Sequence, residues 1–140
     1  MVKVATDANL GDANGSLNFA GGTLRLGANF TPAATRAITL GTGGGTFDTN
    51  GFDIALSQGI SGSGGLVKAG LGKLTLTGAS SFTGGTSVTG GVLILNGSST
   101  APVTIASGAT LGGNATVGGA TINGILSPGN SPGVVTVNGN

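Results

Sequence analysis

Residues 64–97 read GGLVKAGLGKLTLTGASSFTGGTSVTGGVLILNG, a run of short apolar strands cut by glycine-rich turns, and the sequence on either side repeats that style. Lys73-Leu74-Thr75-Leu76 and Val92-Leu93-Ile94-Leu95 both place Leu at their second and fourth positions. Side chains alternate faces along a strand, so each Leu pair points one way. Thr23-Leu24-Arg25-Leu26 does the same far upstream. Each run has Gly on its flanks or within two residues, where a chain can turn sharply. One strand pattern used three times between such corners implies a coil that is reused.

Composition narrows the class. Gly supplies 31 of the 140 residues and charged side chains only 6 %, against a usual charged share of about 25 %. Abundant Gly with little charge suits a disordered chain, but disordered chains are poor in apolar and β-branched residues. This one is 38 % hydrophobic, so an ordered all-β chain is expected. The net charge of +1 comes from Lys3, Arg25, Arg36, Lys68 and Lys73 against Asp7, Asp12, Asp48 and Asp53. The basic residues are scattered and do not form the stripe that nucleic acid requires. There is no Cys, hence no disulfide framework and no thiolate chemistry. No run of 18 apolar residues predicts a membrane-spanning helix. Met1–Asp7 lacks the apolar core of a signal peptide, so an exported parent would make this an internal piece.

Along the chain, Asp7–Gly15 reads as a polar loop. Leu17 and Phe19 then share a face, with Asn18 opposite. Ala28–Arg36 is the longest break, and Pro32 excludes a central strand position there. Ile38 with Leu40, Phe47, and Ile54 with Leu56 are expected to point inward, with Asn50-Gly51 as a tight turn. Ile60, Leu66, Leu74, Phe82, Val88, Leu93, Val103, Leu111, Val117, Ile122 and Val135 continue the series. No stretch sustains helical periodicity. Very short strands, branched inward residues and a recurring pattern favour a parallel β-solenoid over a sandwich or barrel. With coils of about 20–25 residues the chain makes about six, each held by its neighbours.

The residues that carry this pattern also carry a likeness. Gly45–Gly51, Ile60–Lys68, Gly72–Ala79 and Phe82–Thr86 together resemble the autotransporter-associated β-strand repeat of passenger domains in Gram-negative type V secretion. Asp7–Gly11 with Gly21–Leu24 fits the part upstream. Ala109–Gly113 through Leu126–Gly133 is similar to the segment that follows such repeats. The resemblance implies a right-handed parallel β-helix: one solenoid segment over 1–140, its repeat core at about 45–97 and further coils over 98–140. It also implies an extracellular or cell-surface location, and a parent carrying an N-terminal signal and a C-terminal outer-membrane β-barrel as partner. In that family the repeat is associated with passenger transport and folding. Lys73 stands where Thr is common and Phe82 where Tyr is common.

The chemical motifs are weak. Gly129-Asn130-Ser131-Pro132-Gly133 fits G-x-S-x-G, but nothing helical follows and the chain has no His, so no nucleophile elbow is expected. Gly43–Asp48 departs from the calcium nonapeptide at Thr46 and has no second copy, which leaves Asp48 as a solvated turn residue. Gly70-Leu71-Gly72-Lys73 fails as a phosphate loop at Val67 and Leu74. Without His, Cys or Glu there is little material for acid–base work. No catalytic residue, cofactor, metal or small-molecule substrate is assigned, and the chain is expected not to be an enzyme. The candidate contact surface is Val92 with Ile94. If Leu93 and Leu95 point in, this β-branched pair points out, where equivalent strands carry Thr, Arg or Lys. Two roles follow: a structural stalk or folding and transport scaffold, or a self-associating or adhesive module that uses coil ends or this outer face.

Overall fold

The computed structural model describes residues 1–128 and 134–137. Strands are numbered in chain order, and every paired set among the described residues is parallel. The chain winds as a β-solenoid with three faces. The first face is a seven-stranded sheet of β1 (Val2–Val4), β3 (Thr23–Leu26), β5 (Gly45–Asp48), β8 (Leu66–Ala69), β10 (Thr86–Val88), β12 (Pro102–Ile105) and β15 (Gly119–Ile122). The second holds β6 (Ile54–Leu56), β9 (Lys73–Leu76), β11 (Val92–Leu95), β13 (Thr110–Gly113) and β16 (Ile125–Pro128). Phe30 extends it by a single bridge to Ile54.

The third face is less regular. It begins with β2 (Leu17–Phe19), β4 (Ile38–Leu40) and β7 (Ile60–Gly62). Isolated backbone bonds then carry it on: the Ser81 amide donates to the Ile60 carbonyl at 2.8 Å and the Thr83 amide to Gly62 at 3.0 Å. It ends with β14 (Ala115–Val117) paired to β17 (Val135–Val137).

The alternation expected from the Leu-x-Leu strands sets the inside. Leu74 and Leu76 of β9, and Leu93 and Leu95 of β11, are buried and stack in register, Leu74 with Leu93 and Leu76 with Leu95. Ile54 and Leu56 of β6 lie on the other side of β9 in the same two columns. Each such side chain taken from water stabilises by about 1.5–3 kcal/mol. Phe82 plugs the third face where no regular strand forms and is 1 % exposed. Phe19 and Phe47 meet with ring centroids 5.1 Å apart and planes tilted by 48°, near the edge-to-face geometry that aromatic pairs favour.

Three details differ from the sequence expectations. First, coil length is not uniform. Along the first sheet the upstream coils step from Val2 to Leu24 and on to Phe47, whereas the downstream coils step from Thr86 to Val103 and on to Ala120. The downstream steps are the shorter, and fall below the length expected for a three-strand coil. In the second of these steps the third face is reached through single-residue corners. Asn114 alone separates β13 from β14, and Gly118 alone separates β14 from β15. A Cβ on Gly118 would run into the Thr100 carbonyl oxygen. Second, Ile122 is 38 % exposed, because β15 has only β12 beside it, and Val135 is only half-buried. Third, Asp48 lies on β5 and is not a turn residue. Asn50-Gly51 does form the tight turn, with φ of 50° and 87°. The Gly129–Gly133 motif and residues 138–140 lie outside the described residues.

Candidate functional site

The polar features that the coil pattern does not demand gather at two buried cations. Arg36 ends the long break before β4, and its side chain is fully buried. Its guanidinium donates to both carboxylate oxygens of Asp7, Nε to Oδ1 at 3.0 Å and Nη2 to Oδ2 at 3.1 Å. Nη1 also donates to the carbonyls of Leu10 at 3.1 Å and Gly15 at 3.0 Å, and Nη2 to that of Gly11 at 3.3 Å. The polar loop, which opens with a 3-10 turn at Asp7–Leu10, is thus wrapped around one cation. Five donors in a fixed planar fork suit such a cluster of carbonyls, which a lysine could not satisfy in the same geometry. Hydrogen bonding from Arg36 holds the Asp7 carboxyl below its usual range, against the opposing effect of desolvation.

Lys68 is the second buried cation. It takes an inward position on β8, in a column between Phe47 and Val88, and is 0 % exposed. Its ammonium donates to the carbonyls of Gly70 at 2.8 Å, Ala69 at 3.0 Å and, one coil on, Gly90 at 3.0 Å. The same turn is gripped from the preceding coil by buried Thr49, whose hydroxyl donates to Leu71 O at 2.6 Å and whose amide donates to Ala69 O at 3.0 Å. Burial pushes the Lys68 ammonium down to about 8, with Asp48 and then Asp53 offsetting part of that effect. On the outside, Arg25 lies 3.6 Å from Asp48 and donates to Asn50 Oδ1 at 2.6 Å. Asp48 Oδ1 also accepts the Asn50 amide at 3.0 Å, which accounts for its departure from the expected solvated role.

Side-chain acceptors run along two corners as well. Asn29 accepts the amide of Asp53 and Asp53 that of Lys73, both at 2.8 Å. Asn96 accepts the amide of Asn114 at 3.1 Å and Asn114 that of Val134 at 2.8 Å. Each bond ties one coil to the next where strand pairing has stopped, so no corner amide is left orphaned at these positions.

The candidate contact residues Val92 and Ile94 both lie on the outer face of β11 and are half-buried. Val92 stands in register between Lys73 and Thr110, and Ile94 between Thr75 and Gly112. Ile94 leans over Gly112, where a Cβ would lie 2.9 Å from its Cδ1. Two registers further along the Val92 row, Ile125 is 57 % exposed. No loop of the described chain is paired over this row. The structure does not bring Val92 and Ile94 together with Lys68 or Arg36, which face the interior.

Nothing in the sequence reading singled out Lys68 or Arg36. The available signal was Lys68 at an inward position of a strand whose neighbours are apolar, visible once the Leu66-x-Lys68 alternation is followed. Arg36 carried no such signal, since it sits in an irregular break. Among the described residues no group of three or more His, Cys, Asp or Glu could hold a metal ion, and no helix is long and apolar enough to cross a membrane.

No curated protein and no solved structure matches the chain. The family comparison does match, over β8 to β11, the stretch that contains Lys68, Phe82 and the Leu74–Leu93 column. Residues 66–95 match the family model described as passenger-associated-transport-repeat.

Proposed function

We propose that the chain is a structural segment of a surface-exported autotransporter passenger, a stalk and folding scaffold that performs no catalysis. The observation that supports this reading best is the coincidence of the repeat at 66–95 with the central coils of a parallel solenoid. Stacked coils bury a continuous apolar core and propagate order from neighbour to neighbour, which suits a chain that has to fold after crossing a membrane. The partner in this reading is the outer-membrane β-barrel of the same polypeptide, and the location is the outside of a Gram-negative cell. The test is surface display of the full-length parent carrying Leu74→Asp within the repeat. A scaffold role predicts loss of protease-resistant passenger at the surface while the barrel still inserts. Undiminished display of folded passenger would overturn it.

A second reading, self-association through the outer face of the second sheet, is favoured by Val92, Thr110 and Ile125, which follow Lys73 along one outward row, with Ile94 beside it. Low charge leaves little repulsion between copies. Light scattering over a wide concentration range tests it: growth abolished by Ile94→Asp supports the face, and a monomer at all concentrations removes it.

A further inference from the structure

We propose that the open trough along the corner between the second sheet and the downstream third face is a binding site for a linear, neutral, β-linked polysaccharide, which it holds without cleaving. The trough has a volume of about 520 Å³, within the usual range of about 300–1,000 Å³ for ligand sites. Its shape comes from the corner sequence. Gly97 and Ala115, at the middle of successive corners, offer no long side chain, and the polar residues on either side of them form two banks.

Both banks are fixed by the fold. On one, Asn96 Oδ1 accepts the Asn114 amide at 3.1 Å and Asn114 Oδ1 accepts the Val134 amide at 2.8 Å. Only the oxygen of a carboxamide accepts from an N–H, so these bonds tie that end of each side chain to the next coil and leave Nδ2 as the outer end. No acceptor among the described residues takes either Nδ2. On the other bank Ser98, Thr116 and Thr136 stand in one register row. Thr116 points outward because its neighbours Ala115 and Val117 are buried. These hydroxyls can each donate and accept. Two successive coils thus repeat an amide donor beside a hydroxyl, and Thr136 extends the row, at the spacing of about 4.8 Å between strands.

The chemistry of this array selects the ligand. No charged side chain lines the trough, so a charged ligand would give up hydration with no ionic partner in return. Amide donors beside hydroxyls suit vicinal hydroxyl groups, which need donors and acceptors together. A row of repeated sites suits a polymer with the same repeat, and an extended β-1,4-linked pyranose chain advances by nearly the strand spacing per sugar. An extended peptide advances by about 3.3 Å per residue and returns to the same face after about 6.6 Å, out of step with the coils. Hydrolysis takes two carboxylates flanking the scissile bond, and the lining has none. Each sugar makes few hydrogen bonds, all open to water and individually weak, so affinity accumulates with chain length.

The test is titration of the folded chain with β-1,4-linked oligomers of glucose, N-acetylglucosamine and mannose, from dimer to hexamer, followed by amide NMR shifts. At least one series should bind, with shifts confined to residues 77–79, 96–98, 114–116 and 134–136. Its affinity should rise by about tenfold or more from dimer to tetramer and little beyond, because the lining spans about 14 Å of rod at the strand spacing. Oligogalacturonate of equal length should bind about tenfold more weakly or worse. Joint Ser98→Ala and Thr116→Val substitution removes hydroxyls at outward positions and should weaken binding by about tenfold or more with the melting temperature unchanged. Thr104→Val, on the outer face of the first sheet, should leave binding as it is. Absence of shifts with all three neutral series would overturn the proposal. So would shifts away from the trough, affinity independent of length, equal binding of oligogalacturonate, or binding that the double substitution leaves unchanged.

Discussion

The upstream and downstream coils solve the same packing problem with different means. Upstream, the long coils that step from Val2 to Leu24 to Phe47 enclose a wide section, filled by the Phe19–Phe47 pair and crossed by the Arg36 cluster. Downstream, the short coils that step from Thr86 to Val103 to Ala120 close around Val103, Ile105, Leu111 and Val117. No buried Lys or Arg is present among those described residues. A longer coil has loops whose carbonyls cannot all reach a neighbouring strand, and buried cations satisfy them. The shorter coils bury no such cation, and both kinds of coil depend on glycine where the backbones touch, as at Gly62, Gly64 and Gly118. Both buried cations thus lie upstream of the short coils, while the short coils still bury the hydroxyl side chains of Thr86 and Ser99.

Several substitutions would break or sharpen that contrast. The largest effect is expected in the shared apolar column. Leu74→Asp or Leu93→Asp buries an unpaired carboxylate and should cost more than about 4 kcal/mol, unfolding adjacent coils, while Thr75→Asp on the outer face of the same strand should cost less than about 1 kcal/mol. Equal losses in thermal melts would reverse the inside–outside assignment. Arg36→Ala comes next. It leaves Asp7 and the carbonyls of Leu10 and Gly15 without their donor and should cost about 3–5 kcal/mol, read as lost amide-exchange protection over residues 7–15 with the short downstream coils unaffected. Protection lost evenly along the rod would mean that the upstream and downstream coils are one cooperative unit.

Two pH effects follow, opposite in sign. Asp7 has a lowered folded pKa, so the folded state holds its proton less tightly than the unfolded chain. Its contribution is present above the ordinary carboxylate range and is lost as pH falls through the lowered value. Asp7→Asn should remove this acid sensitivity from the melting curve. For Lys68 the folded value is about 8 against 10.5. Between these limits the unfolded chain binds more protons, so stability should rise with pH across that window. Lys68→Met should flatten the rise, and a slope that survives it would assign the titration to another group. The smallest expected change is Asn96→Ala, which removes one side-chain acceptor from the Asn114 amide and should cost about 1 kcal/mol, measurable as a small shift in denaturant midpoint.

Much of the coil was legible from particular residues. The Leu pairs at 74 and 76, 93 and 95, and 24 and 26 gave strand positions and the inward face directly, because alternation along a strand is a local property. Asn50-Gly51 was legible for the same reason. The Arg36 cluster was not, since its partners Asp7, Leu10 and Gly15 lie 21 to 29 residues away. Asp48 was misplaced because its Arg25 partner sits one full coil back, beside it in register but remote along the chain. Val92 and Ile94 lie on the outer face of β11, and their half-burial depends on the neighbouring rows, Gly112 included.

Sequence by itself determined that this chain is all-β, that its core is aliphatic, that its coils repeat, and that the repeat resembles one found in exported passengers. These follow from residue type and from spacing within a strand, over which backbone geometry is fixed. The tertiary structure alone decided how much chain closes each coil, which cations are buried and what they hold. Those outcomes rest on contacts made a full coil away or more, as between Arg36 and Asp7 or Asn114 and Asn96, and no local rule says which groups will meet.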